Sequence, residues 1–153
     1  MDIKEQVNGW LISLGNRSGK HFRLIDGVFA AKDEDGQEYV IEIPESSEQL
    51  YFCAPIAALH EDSEKTSDFE CLMKWNLYGL KTFGGTLSYE ESTNRIIFHY
   101  IVRVDTLDEN RFCDTFNRFI AMVRDVQKMW LEYSQTKVNT GQQIEDFNMM
   151  MRV

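Results

Sequence analysis

The side chains able to do chemistry are few and scattered. His21, His60 and His99 share no ligand-type spacing with one another or with Cys53, Cys71 and Cys113, and no H-x-x-x-H, C-x-x-C or phosphate-cradling glycine loop occurs. Gly79, Gly84 and Gly85 lack the order of a dinucleotide fingerprint and follow a helix rather than a strand, so they read as a helix stop and a tight approach to a strand. Asp33, Glu34 and Asp35 form an acidic run that ends in Gly36; a solvated turn is the ordinary use of such a run, a weak cation site the other. Cys113 and His99 are the one imaginable thiol and base, but Cys113 falls beside the apolar face of a long helix and reads as core. No catalytic residue, metal ligand or cofactor site is expected, and the chain is read as non-enzymatic.

Charge and thiol usage exclude further classes. Twenty-five acidic against sixteen basic residues give a formal charge of −9, which leaves no overall attraction to nucleic acid or to an anionic membrane. Three widely spaced cysteines, each in an apolar segment, look like reduced, buried thiols of the cytoplasm. The first residues, MDIKEQ, show neither a signal peptide nor a membrane span.

What must be positioned, then, is apolar surface. In the stretch 69–89, Phe69, Leu72, Met73, Leu77 and Leu80 share one helical face, while Cys71, Trp75 and Tyr78 form a second row. A helix apolar nearly all round must be covered nearly all round, and a chain of this length has little core to spare for both sides of it. A second copy in a two-fold dimer is the expected cover. The alternative is a helix buried within one monomer. Ser67 to Glu70 fits a capping box at its start.

Around it the chain reads as follows. A first helix carries Ile3, Val7, Trp10, Leu11 and Leu14 in one stripe and stops at Gly15 in a left-handed conformation. Strands are expected over 27–32, 38–43 and 49–56, the first two joined by the Asp33 to Gly36 turn, with Phe22 and Leu24 in a short segment before them. A charged, flexible loop over 60–67 precedes the central helix. Strands over 86–90 and 95–104 follow, the second interior with most of both faces covered. Thr106 to Glu109 is a further capping box, opening a helix near 25 residues long with Phe112, Phe116, Phe119, Ile120, Val123, Val126 and Trp130 at helical spacing. The order helix, three strands, helix, two strands, helix predicts an α+β fold, an antiparallel sheet with helices packed on it, as one domain over 1–135. Residues 136–153 are expected to be a polar, flexible tail ending in a weak cluster of Ile144, Phe147 and three methionines.

Trp10, Leu11, Leu14, Phe22, Phe29, Tyr39, Tyr51 and Phe52 are a large aromatic and apolar inventory for a thin layered domain. Part of it is expected to face a peptide or protein partner, with strand addition at a sheet edge as the natural mode.

The ordered set Met73-Lys74-Trp75-Asn76-Leu77-Tyr78-Gly79, then Gly84-Gly85-Thr86-Leu87-Ser88-Tyr89, a hydrophobic strand, Leu107-Asp108, and a long helix with Phe112, Phe116 and Trp130 resembles the class I type III secretion chaperones of the Tir-chaperone kind. The first helix ending in Leu14-Gly15 and the Ala54-Pro55-Ile56 segment also match that family over roughly residues 3–134, although the usual Leu-Pro is missing from the 16–20 connector. The resemblance implies a cytoplasmic bacterial homodimer without enzyme activity. It would bind the N-terminal region of a secreted effector, keep it extended, export-competent and free of aggregation, and deliver it to the export ATPase. By this resemblance the dimer interface falls on Phe69, Leu72, Met73, Trp75, Asn76, Leu77, Tyr78, Leu80 and Leu87. The effector surface falls on Trp10, Leu11, Leu14, Phe22, Leu24, Val28, Phe29, Tyr39 and Ile41. A regulatory protein of the same fold, sequestering a partner that is not secreted, is the rival expectation.

Overall fold

The computed structural model describes residues 2–59 and 65–150, except the side chains of 141, 143–148 and 150. Helix α1 spans Ile3–Arg17, strands β1, β2 and β3 span Val28–Lys32, Glu38–Glu42 and Gln49–Ala58, and α2 spans Thr66–Asn76. Strands β4 and β5 follow at Thr86–Glu90 and Arg95–Arg103, and α3 closes the chain at Glu109–Met150. The strands form one antiparallel sheet in the order β1-β2-β3-β5-β4. This is the α+β architecture the periodicities predict.

Alternation along the strands decides which side chains meet the helices. Phe29, Tyr39, Ile41, Leu50, Phe52, Ala54, Leu87, Ile96 and Phe98 are buried, and α1 and α3 contribute Val7, Trp10, Leu11, Phe112, Phe116, Phe119, Val123 and Val126 to the same core. Aromatic rings hold its centre: Phe98 stacks on Phe119 at 5.8 Å between centroids, Phe52 lies 5.6 Å from Phe119, and Trp10 reaches Phe112 at 5.5 Å. A fully buried phenylalanine contributes about 1.5–3 kcal/mol.

Several local expectations are corrected. Ser67 and Asp68 do not cap α2; the helix begins at Thr66 without a side-chain cap, and Asp68 is buried instead, accepting from Tyr133 Oη at 2.9 Å and from Lys137 Nζ at 2.9 Å. That ties α2 to α3. Asp108, not Thr106, caps α3, its Oδ1 accepting from the Arg111 amide at 2.8 Å. Helix α1 runs past Gly15 to Arg17, and the left-handed residue is Gly19, with φ +66°. Gly15 is required for closeness, because a Cβ there would sit 2.6 Å from the Lys20 carbonyl oxygen and 2.8 Å from the Phe22 nitrogen.

Helix α3 has 42 residues rather than about 25, so the segment expected as a tail from residue 136 continues the helix to Met150. Strand β5 is interior, yet only one of its faces is covered by helices; Ile97 and His99 are half-buried on the other, and Ile101 is exposed. Of the loop expected over 60–67, Thr66 and Ser67 already belong to α2, and residues 60–64, with His60, lie outside the described residues; the cluster of Ile144, Phe147 and the final methionines lies outside the described residues and side chains, apart from exposed Met149.

Candidate functional site: two apolar surfaces and two sheet edges

The end of α2 is built by backbone conformation. Tyr78 and Phe83 adopt left-handed φ of +57° and +54°, and Gly79 and Gly84 are left-handed too, so the chain doubles back twice within 77–85. The Gly84 amide donates to the Gly79 carbonyl at 3.0 Å and the Gly85 amide to the Thr82 carbonyl at 2.8 Å, which fixes the double turn. It displays Leu77, Tyr78, Leu80 and Phe83 outward at 61%, 87%, 79% and 42% exposure, with Met73 at 73% on the preceding turn. Scattered surface leucines need no explanation; five large apolar side chains along one short segment form a patch.

The rest of the expected dimer set is held within the chain. Leu72 and Leu87 belong to the core. Phe69 packs on Tyr89 at 5.1 Å, and Trp75 meets Trp130 and Tyr133 edge-on at 6.3 and 6.2 Å. The Asn76 amide engages the Leu87 backbone, Nδ2 donating to its carbonyl and Oδ1 accepting from its N–H, both at 2.8 Å. Of the second apolar row of α2, Trp75 is covered by α3 while Tyr78 stays exposed, and the Trp75 contact has no counterpart in spacing rules because it joins residues far apart in sequence.

The second surface lies where α1 meets the start of the sheet. Asn8 Oδ1 accepts from the Leu24 amide at 2.9 Å and pins the 22–25 segment to α1, while Phe22 packs on Phe29 with ring centroids 4.9 Å apart. Asp26 and Gly27, both left-handed, turn the chain so that Ile25 and Val28 exchange backbone hydrogen bonds at 2.8 and 2.9 Å. Of the expected effector residues, Trp10, Leu11, Phe29, Tyr39 and Ile41 are core, since each points to the helix-covered side of the fold. They are corrected here to structural roles. Leu14, Phe22 and Leu24 are half-buried, and Val28 is exposed. Ile25, 71% exposed, and Ile12 join them. Sequence reasoning missed Ile25 and Phe83, whose only signal is an adjoining residue suited to a left-handed turn.

The two sheet edges differ. In the β1–β2 pair the Asp33 amide bonds the Gln37 carbonyl and the Ile43 amide the Gly27 carbonyl, so odd-numbered residues of β1 face β2 and the backbones of Val28, Ala30 and Lys32 face outward. Val28 is taken by Ile25; among the described residues Ala30 and Lys32 have no partner on that side. At the other edge, α2 and its double turn lie against β4.

Among the described residues no catalytic grouping is assembled elsewhere. Cys113 is buried on α3 while His99 lies on the far face of the sheet, with Nε2 2.9 Å from Ser88 Oγ, so the imagined thiol and base never meet. Burial lowers the His99 pKa and raises that of the Cys113 thiol, leaving both uncharged at neutral pH. Among the described residues no group of three or more His, Cys, Asp or Glu is disposed to hold a metal ion, and no helix is long and apolar enough to cross a membrane.

Comparison with solved structures finds this fold repeatedly. The crystal structure of the ExsC-ExsE complex gives a TM-score of 0.68 at 18% identity, covering 85% of this chain and 94% of that one. The HopA1-SchA chaperone-effector complex gives 0.63 at 16% identity, covering 85% and 97%. The heterodimeric ExoU-SpcU complex from the type III secretion system of Pseudomonas aeruginosa gives 0.58 at 14%, covering 80% and 93%. At such identities the likeness is one of fold. No curated protein sequence matches the chain. The family model described as Tir chaperone protein (CesT) family matches residues 11–127, most of the chain, and the chain belongs to that family.

Proposed function

We propose that this protein is a cytoplasmic, homodimeric type III secretion chaperone, which binds the N-terminal region of a secreted effector, holds it extended, prevents its aggregation and presents it to the export ATPase. Its family and the chaperone-effector complexes that share its fold support this reading. The observation that carries it is the open β1 edge at Ala30 and Lys32 flanked by exposed Ile25 and Val28, a combination of main-chain bonding capacity and apolar side chains suited to an extended segment. The client gives up chain entropy on binding, a cost offset by backbone pairing and apolar burial without folding. The exposed patch at Met73, Leu77, Tyr78, Leu80 and Phe83 is the seam that a second copy covers. A net charge of −9 keeps such a molecule soluble. No catalytic step is assigned to it.

The test is Ala30→Pro, which removes one outward amide and leaves the β1–β2 ladder intact. Co-expressed with the effector that co-purifies with the wild type, it is expected to lose about tenfold or more in affinity, counting one backbone bond and the neighbours it displaces. Unchanged affinity, or a wild-type chain that recovers no effector and whose deletion leaves secretion intact, contradicts the proposal.

A further inference from the structure

The β4 edge is closed from inside the chain at Leu87 and at the adjoining Gly85. Because Leu87 bonds the Asn76 side chain, its N–H and C=O point away from β5, and by alternation those of Gly85 and Tyr89 do too. The Asn76 carboxamide takes both groups of Leu87, donating to one and accepting from the other, as a residue of a paired strand would. At Gly85 the N–H donates to the Thr82 carbonyl, and the C=O accepts from Thr82 Oγ1 at 2.7 Å. Thr82 is fully buried, so that hydroxyl is committed to this bond. At Tyr89 the Phe69 ring of α2 covers the side chain. An extended polypeptide arriving at this edge would find the outward backbone groups of Gly85 and Leu87 occupied.

We propose that Asn76 and Thr82 are edge-stopping residues: they stand in for a neighbouring strand on β4 and direct an extended client segment to Ala30–Lys32 of β1. The asymmetry is what a sheet protein that uses strand addition needs. An open edge is equally a template for its own kind, and unguarded edges lead to association between copies. Here the edge beside the proposed dimer seam is sealed and the edge beside the α1 surface is left open, so the two apolar surfaces are kept from competing for one partner. The client's identity as an effector rests on the reading above; the sealing of β4 does not.

The experiment uses the full-length protein without client. Amide hydrogen exchange is read residue by residue for the wild type, Asn76→Ala and Asn76→Asp, the last keeping an acceptor for the Leu87 N–H. Leu87 is expected to be protected in the wild type, to exchange roughly fivefold or more faster in Asn76→Ala, and to regain only part of that protection in Asn76→Asp, whose second oxygen faces the Leu87 carbonyl, with α3 amides such as Phe119 and Val123 unchanged. Light scattering of the Asn76→Ala, Thr82→Val double variant is expected to show mass rising with concentration above the wild-type value. Fast exchange of Leu87 in the wild type, equal acceleration of all amides in both Asn76 variants, or a double variant whose mass stays at the wild-type value would overturn the inference. Failure of the wild type to bind any effector would sink the chaperone reading and leave these results untouched.

Discussion

At the scale of single residues, the fold is most exacting where backbone passes under an aromatic ring. A Cβ on Gly85 would lie 2.4 Å from two ring carbons of Phe98, itself fully buried and stacked on Phe119. Gly85→Ala is therefore expected to cost about 1–3 kcal/mol of stability, read as a lower denaturation midpoint with unchanged slope. The same substitution at Gly36, where no atom lies within 4 Å of the added carbon, meets only the strain of its left-handed φ. Cys53 offers a pH test. Burial first, with Glu42 nearby second, pushes its thiol from 9.0 up to about 11, so the folded state favours the protonated form. Its contribution to stability is whole below pH 9 and is lost as pH rises through 11. Alkylation by iodoacetamide followed by mass spectrometry is expected to be slow at pH 8 and to quicken toward pH 11; rapid labelling at pH 8 would contradict the burial argument.

At the scale of elements, what periodicity encodes was legible and what tertiary contact decides was not. The stripe Phe112, Phe116, Phe119, Val123 announces α3, but its end could not be read: the polar run after Ser134, with Gly141, has poor helix propensity, and the helix is carried past it beyond anchors at Trp75 and Asp68 that lie far upstream. Capping boxes at Ser67 and Thr106 matched a pattern while the true starts lay elsewhere, because buried Asp68 and exposed Asp108 found different partners. Strand alternation named Tyr39 and Ile41 as one face without telling whether α3 or a client would cover it. For α2 the two apolar rows do not divide into inside and outside: Phe69 and Leu72 of the first and Trp75 of the second pack within this chain, while Met73, Leu77 and Leu80 of the first and Tyr78 of the second are exposed. That exposed set gives a prediction. Leu80→Asp, at a side chain 79% exposed, is expected to leave the denaturation midpoint of the folded protomer nearly unchanged and to shift light-scattering mass from two copies toward one. A variant that stays at the wild-type mass places the seam elsewhere.

At the scale of the whole molecule, the sheet is a layer with one face dry and two unlike edges. Helices α1 and α3 cover one side, α2 and its double turn close the β4 edge, and β1 stands open beside α1. On the uncovered face a chain of ion pairs, Lys32–Glu38 at 3.0 Å, Glu38–Arg95 at 3.5 Å and Arg95–Glu90 at 3.3 Å, crosses from one edge strand to the other. Exposed pairs of this kind are worth little in stability, but they keep charge on the uncovered face of the sheet. Acidic net charge, a sealed edge and charged strand ends all limit unspecific association while one edge and two patches stay available. The measurement that bears most directly on this account is amide exchange of the complex formed with the effector that co-purifies from the native cell, compared with the free protein. Protection is predicted to rise at Ala30 and Lys32 of β1 and to stay constant at Leu87 of β4; unchanged exchange at β1, with new protection along β4 or at neither edge, would contradict it.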